Sequence, residues 1–243
     1  AMTSGSPVFS VIVPCFNVAR SVPPTLESLV AQTFTDFETI AVNDGSTDDT
    51  ASVLAAFKPD HPFQIIEQEN RGLGGARNAA IGAARGTYLA FLDADDLWQP
   101  EKLARVHQCL QETGADLVCH DEYFVQDSKI LRTHRYGPHT TYLDLLFFGN
   151  CLSPSAVTVR RALVEQAGVF SEDMRSHGIE DYDMWLRLAE AGVCIHYLHE
   201  PLGIFVMHDG NMSSEGGFAA RESIVLSNHL DRLDTADPVL AKG

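Results

Sequence analysis

The sequence is short of positive charge: 17 lysines and arginines stand against 33 aspartates and glutamates, for a net charge of −16 over 243 residues. Nucleic acids and anionic membranes are held by clustered cations that neutralise phosphates, so this composition argues against both as partners. Long apolar runs are also missing. Stretches such as Leu143 to Phe148 fall far below the roughly 18 residues of a membrane span, so no transmembrane segment is expected, although peripheral association stays open. The five cysteines, Cys15, Cys109, Cys119, Cys151 and Cys194, are odd in number and include no C-x-x-C pair. They offer no disulfide framework and read as buried reduced thiols. The start, Ala1 to Ser6, has neither a basic nor an apolar export region; its small polar residues read as a cloning remnant, and a cytoplasmic location, with the inner face of the membrane as an option, is expected. Linkers, repeats and low-complexity tracts are absent as well, so residues 1–243 are expected to form a single catalytic domain.

What remains is ordinary globular composition, 45% hydrophobic and 21% charged, arranged in a clear order. Val8 to Pro14 is a β-branched run ending at a proline, followed by Leu26, Leu29, Val30 and Phe34 at helical spacing. Strands are expected at Phe37 to Val42, Phe63 to Ile66 and Thr87 to Leu92. Between them lie a helix carrying Val53, Leu54 and Phe57 and an alanine-rich helix from Ala76 to Ala84. Strand and helix thus alternate through the first hundred residues, which predicts an α/β fold with a mostly parallel, doubly wound sheet. After residue 100 the rhythm loosens to a helix at Glu101 to Thr113, strands at Leu117 to Val125 and Ala156 to Val159, and a helix at Tyr182 to Glu190.

Ligands of such sheets bind at the carboxyl ends of the strands, where Asn17, Asp44, Arg71 and Asp93 to Asp96 should converge. The cluster Asp93-Ala94-Asp95-Asp96 concentrates three carboxylates after a buried strand. Such a set either holds a hard cation, Mg2+ or Mn2+ rather than zinc, or caps a helix. Asp44 can accept from the imide of a uracil-like base or cap a turn. The loop Asn70-Arg71-Gly72-Leu73-Gly74-Gly75-Ala76-Arg77 places two guanidinium forks beside close-approach glycines, but it follows neither phosphate-loop spacing nor the dinucleotide fingerprint. Glu180 and Asp181 precede an amphipathic helix, as caps or as a base for a reacting hydroxyl. His208 stands in a late loop.

In this order, Val11-Ile12-Val13-Pro14-Cys15-Phe16-Asn17, Asn43-Asp44-Gly45-Ser46-Thr47-Asp48, Asn70-Arg71-Gly72 with Ala76-Arg77-Asn78, Leu92-Asp93-Ala94-Asp95-Asp96 and Glu180-Asp181 before Trp185-Leu186-Arg187 closely resemble the family 2 inverting glycosyltransferases. The resemblance covers residues 8 to 213. It implies the A-type glycosyltransferase fold, with residues 8–100 as the nucleotide-sugar-binding half, 101–213 as the acceptor and catalytic-base half, and 214–243 as a C-terminal helix and tail. By position it implies that Pro14 and Asn17 shape the nucleotide pocket, that Asp44 holds the base and that Arg71 or Arg77 lies near the base or diphosphate. It also implies that Asp93 approaches the ribose and shares with Asp95 the metal motif, with His208 nearby. Asp181 would be the general base and Glu180 its neighbour, while Asp96 would be a supporting partner or helix cap. The implied cofactor is Mn2+ or Mg2+. The implied partners are a nucleoside-diphosphate sugar, with UDP favoured, and an acceptor hydroxyl on a glycan or lipid-linked glycan, in a hexosyl- or N-acetylhexosaminyl-transfer reaction of polysaccharide or glycoconjugate synthesis. The chain lacks the Q-x-x-R-W signature of the processive synthases, which favours transfer of one sugar at a time. Two other readings compete: a sugar-nucleotide-binding member without catalysis, and a nucleotidyltransferase, which would normally show a glycine-rich loop after its first strand.

Overall fold

The computed structural model describes residues 5–173, 175, 177–208 and 218–236. Strand β1 (Phe9–Cys15) is buried along its whole length, and its side chains alternate between two cores. Val11 and Val13 face one, and Ile12 faces the other. That is why the run is apolar at successive positions rather than at every second one. The chain continues through α1 (Val22–Val30), β2 (Phe37–Asp44), α2 (Thr50–Ala56), β3 (Phe63–Gln68), α3 (Gly72–Ala83) and β4 (Tyr88–Phe91). β1 pairs in parallel with β2 and with β4, and β2 pairs in parallel with β3.

The second half widens the same sheet and changes its character. Its elements are β5 (Leu97–Trp98), α4 (Lys102–Thr113), β6 (Leu117–Gln126), β7 (Lys129–His134), α5 (Tyr142–Phe148), a 3-10 turn at Pro154–Ala156, β8 (Val157–Arg160), α6 (Arg161–Ala167), α7 (Glu180–Glu190), β9 (Ile195–Val206) and α8 (Phe218–Ala236). The strand order is β3-β2-β1-β4-β8-β6-β9-β5, with β7 on β6. β8 is antiparallel to both β4 and β6, whereas β9 runs parallel to β6. The sheet is therefore mixed: the parallel winding expected from the sequence occupies the first half, and antiparallel strands join it beyond β4. Helix α4 stops at Gly114, whose φ of 66° lets its N–H reach the Leu110 carbonyl at 3.1 Å.

Side chains of α1, α2 and α4 fill one core, and those of α3, α5, α6, α7 and α8 fill the other. The single sheet ties the halves together. Of the cysteines, Cys15, Cys109 and Cys119 are buried, Cys151 is half-buried and Cys194 is exposed. Cys194 departs from the expected burial because it lies just before β9, in a loop rather than a core strand. No helix among the described residues is long and apolar enough to cross a membrane.

Candidate active site

The chain runs from β1 outward to β2 and β3, then returns to the other side of β1 as β4. Connections leave in opposite directions at this point, so a crevice opens at the carboxyl ends of β1 and β4. Pro14 lies at its edge. Pairing of β1 with β4 ends at Ile12 opposite Phe91, so the missing proline N–H falls beyond the point where β4 diverges. Asn17 follows with a left-handed φ of 54°, a conformation that asparagine tolerates better than most residues. Its Oδ1 accepts from the Thr47 N–H at 2.8 Å, fixing the loop after β1 against the loop after β2.

Asp44 closes β2 and is 2% exposed. Its Oδ1 accepts from Gln68 Nε2 at 2.6 Å and from the Arg71 N–H at 2.9 Å. Gly45 lets these loops meet: a Cβ there would come within 2.7 Å of the Asn70 nitrogen, and its φ is 72°. Arg71 itself is exposed and grips Glu172, with Nη2 2.7 Å from both carboxylate oxygens.

Arg77 behaves differently from the expectation that it faces a nucleotide. It is 1% exposed. One arm of its guanidinium donates to Glu180 Oε1 at 2.5 Å, and the other to Asp93 Oδ1 at 2.9 Å. Burial disfavours its charge, but the carboxylates of Asp93, Glu180 and Asp181 more than compensate and raise its pKa. The arginine therefore joins the acid turn after β4 to the start of α7. Glu180 is equally occupied, because its second oxygen accepts from the Gly178 N–H at 2.7 Å. Among the described residues no side chain pairs directly with Asp181. Burial first, and then the neighbouring Glu180 charge, push Asp181 up to about 7 against the opposing pull of Arg77. A carboxylate with that pKa is half ionised near neutrality and suits proton abstraction.

The turn Asp93-Ala94-Asp95-Asp96 is closed by the Asp96 N–H on the Asp93 carbonyl at 3.1 Å. Asp95 Oδ2 stands 2.9 Å from His208 Nε2, so the fold brings together two residues far apart in the sequence. Desolvation and the Asp93 charge raise the pKa of Asp95 against the opposing effect of His208. Carboxylate oxygen and imidazole nitrogen both suit Mn2+, and such a cation takes the rest of its shell from phosphate and water. Among the described residues no three His, Cys, Asp or Glu side chains form a group that could hold a metal ion by themselves. Asp96 points inward, 2% exposed. Burial, followed by the Glu122, Asp95 and Asp93 charges, lifts its pKa well above the carboxylate range.

Residues the sequence did not single out complete the crevice. Gln68, the last residue of β3, holds Asp44; Ser155, in the 3-10 turn, accepts from the Asp93 N–H at 3.1 Å. Glu172 occupies Arg71, and Phe16, 46% exposed, presents an aromatic face beside Asn17. Only Phe16 carried a readable signal, a large apolar residue between Pro14 and Asn17 in a loop. Trp98 and Trp185 are buried in the core.

The sequence profile described as Glycosyl transferase family 2 matches residues 10–165. An uncharacterized glycosyltransferase of Nostoc sp. is 38% identical over 168 residues, which make up 65% of this chain and 52% of that relative. The chain thus spans about half the length of this relative. The PGL/p-HBAD biosynthesis glycosyltransferase of Mycobacterium bovis is 32% identical over 80% of this chain and 75% of its own length. Among solved structures, S. aureus TarS 1-349 in complex with UDP-GlcNAc superposes with a TM-score of 0.74 at 25% identity, covering 89% of this chain and 65% of that one. The mannosyltransferase PcManGT from Pyrobaculum calidifontis, in complex with GDP-Man and Mn2+, has the same fold, with a TM-score of 0.72 at 20% identity over 94% of this chain and 65% of that one. A profile spanning most of the chain, a relative at 32% identity matched over three quarters of its own length, and a sheet that superposes on these structures lead to one conclusion: the chain belongs to glycosyl transferase family 2 and has the A-type glycosyltransferase fold.

Proposed function

We propose that the chain moves one sugar from a nucleoside-diphosphate sugar, with UDP as carrier, to an acceptor hydroxyl of a glycan or lipid-linked glycan, inverting the anomeric centre. The observation that carries this reading is the join made by Arg77. One buried guanidinium holds Asp93, on the nucleotide side, and Glu180, next to Asp181, which is pushed up to about 7. A carboxylate of that basicity takes the proton of the attacking hydroxyl as the new bond forms on the face opposite the departing diphosphate. Binding alone would not call for such a base.

The other residues serve the donor. Asp44, held by Gln68 and the Arg71 N–H, has an oxygen left to accept from a base imide. The Phe16 ring offers a stacking face. Asp95 and His208 are the residues that would hold a divalent cation, and Arg71 would exchange Glu172 for phosphate oxygens. When bound, the cation would screen the charge that grows on the diphosphate. UDP is favoured because TarS, at 25% identity, was solved with UDP-GlcNAc.

Calorimetric titration with UDP in the presence and absence of Mn2+, followed by a donor-hydrolysis assay, tests the reading. UDP binding that Mn2+ strengthens, together with slow release of sugar from a UDP-sugar, is expected. Absence of binding to any nucleoside diphosphate would overturn it.

A further inference from the structure

Asp96 is the acid of the turn with no role in the mechanism above, yet it is the most deeply placed of the three. Its two oxygens accept from two different segments. Oδ2 takes the Ser155 hydroxyl at 2.6 Å, and Oδ1 takes the Val206 N–H at 3.1 Å. Ser155 does further work from the same atom, because its Oγ accepts from the Asp93 N–H. Its carbonyl accepts from Trp98 Nε1 at 2.8 Å. Val206 is the last residue of β9, and two residues later His208 meets Asp95.

We infer that Asp96 is a positioning residue for the cation and diphosphate centre, clamping the end of β9 to the acid turn so that His208 is delivered to Asp95. The inference rests on the proposed function. His208 lies beyond the last strand residue, and its approach to Asp95 depends on where Val206 is held. The carboxylate of Asp96 fixes Val206 directly and, through Ser155, also fixes the backbone of Asp93. Oriented donors and acceptors of this kind tune a metal centre without touching the ion, and their loss typically weakens metal affinity 10–100-fold.

Two side chains separate this role from its rivals. An asparagine at 96 keeps an oxygen for the Val206 N–H, and its amide donates to the Ser155 hydroxyl, whose two lone pairs serve both that donor and the Asp93 N–H. An alanine abolishes both contacts. The experiment titrates UDP into wild type, Asp96→Ala, Asp96→Asn and Ser155→Ala proteins, with and without Mn2+, and takes the ratio of the two affinities as the readout. Wild type is expected to show a clear Mn2+ enhancement. Asp96→Ala should lose at least about ten-fold of it and Ser155→Ala a smaller part, while Asp96→Asn should retain most. Metal-free UDP affinity, which depends on Asp44, is the internal reference. If Asp96→Asn loses as much as Asp96→Ala, the carboxylate touches the metal itself and the positioning role is wrong. If Asp96→Ala keeps the enhancement and loses only melting temperature, the residue merely supports the fold and the inference is equally wrong. Should Asp96→Ala fail to fold, an unchanged enhancement in Ser155→Ala overturns the clamp on its own. A wild-type protein that binds UDP without any Mn2+ enhancement removes the metal reading, and the inference with it.

Discussion

Replacing Asp181 by asparagine should make the protein more stable and less active, with the gain in stability dependent on pH. Burial and Glu180 raise the Asp181 pKa from 3.8 to about 7. That is roughly 3 units, or at most about 4 kcal/mol between the two protonation states. Because the side chain keeps partial contact with solvent, screening reduces this to about 1–2 kcal/mol. Below pH 4 the carboxyl is protonated in both folded and unfolded chains and contributes nothing. As the pH rises from about 4 to 7, the unfolded chain ionises Asp181 more readily than the folded one, so the wild type loses stability over that window. Above pH 7 the full cost is present. Asparagine never ionises, so the difference in melting temperature between variant and wild type should open between pH 4 and 7 and then level off. For a chain of this size the plateau is about 2–8 °C. Differential scanning calorimetry from pH 5 to 8.5 measures it. Transfer should fall by 10²–10⁴ in the same variant, and wild-type transfer should decline as the pH drops below about 7. A melting difference that stays flat across the window would refute the raised basicity. Full transfer by the variant would refute the base assignment.

Arg77→Met should leave Asp93 and Glu180 facing each other without a cation, at a cost of about 3–5 kcal/mol in urea denaturation; a loss below about 1 kcal/mol would mean that the join is not what holds the two segments. Gly74→Ala should destabilise by about 1–3 kcal/mol and impair transfer, because the added Cβ would come within 2.1 Å of the Ser171 carbonyl oxygen. Gly82→Ala, in the same helix but with nothing within 4 Å, should instead stabilise by about 0.5–1 kcal/mol, so the pair separates crowding from helix propensity.

Elements with strong local signals were legible in the sequence. The β-branched runs became β1 and β2, and the apolar spacing of Leu103, Val106 and Leu110 became α4. Helix α3 begins at Gly72, four residues before the expected Ala76. Gly74 and Gly75 read as loop residues, but they are helical and lack side chains because Ser171 and Arg71 lie against them. β9 gave no pattern. It contains Pro201, its register with β6 shifts around Asp121, and its partners are remote, so neither alternation nor turn chemistry marked it. The same distance effect governs the site. Asp44, Asp93, Asp95 and Asp181 could be picked out because each stands near the start or end of a strand or helix. The partners of Arg77 and Asp96 could not, because Asp93, Glu180, Ser155 and Val206 come from separate elements that only the completed sheet brings together.

The guanidinium shared between Asp93 and Glu180 has one more consequence. A ligand that draws the Asp93 carboxylate toward itself leaves more of the Arg77 charge to act on the base side, which favours ionised Asp181. Reciprocity then requires ionised Asp181 to favour that ligand by the same factor. With the roles proposed for Asp93 and Asp181, donor capture and readiness of the base would be two expressions of this single buried charge.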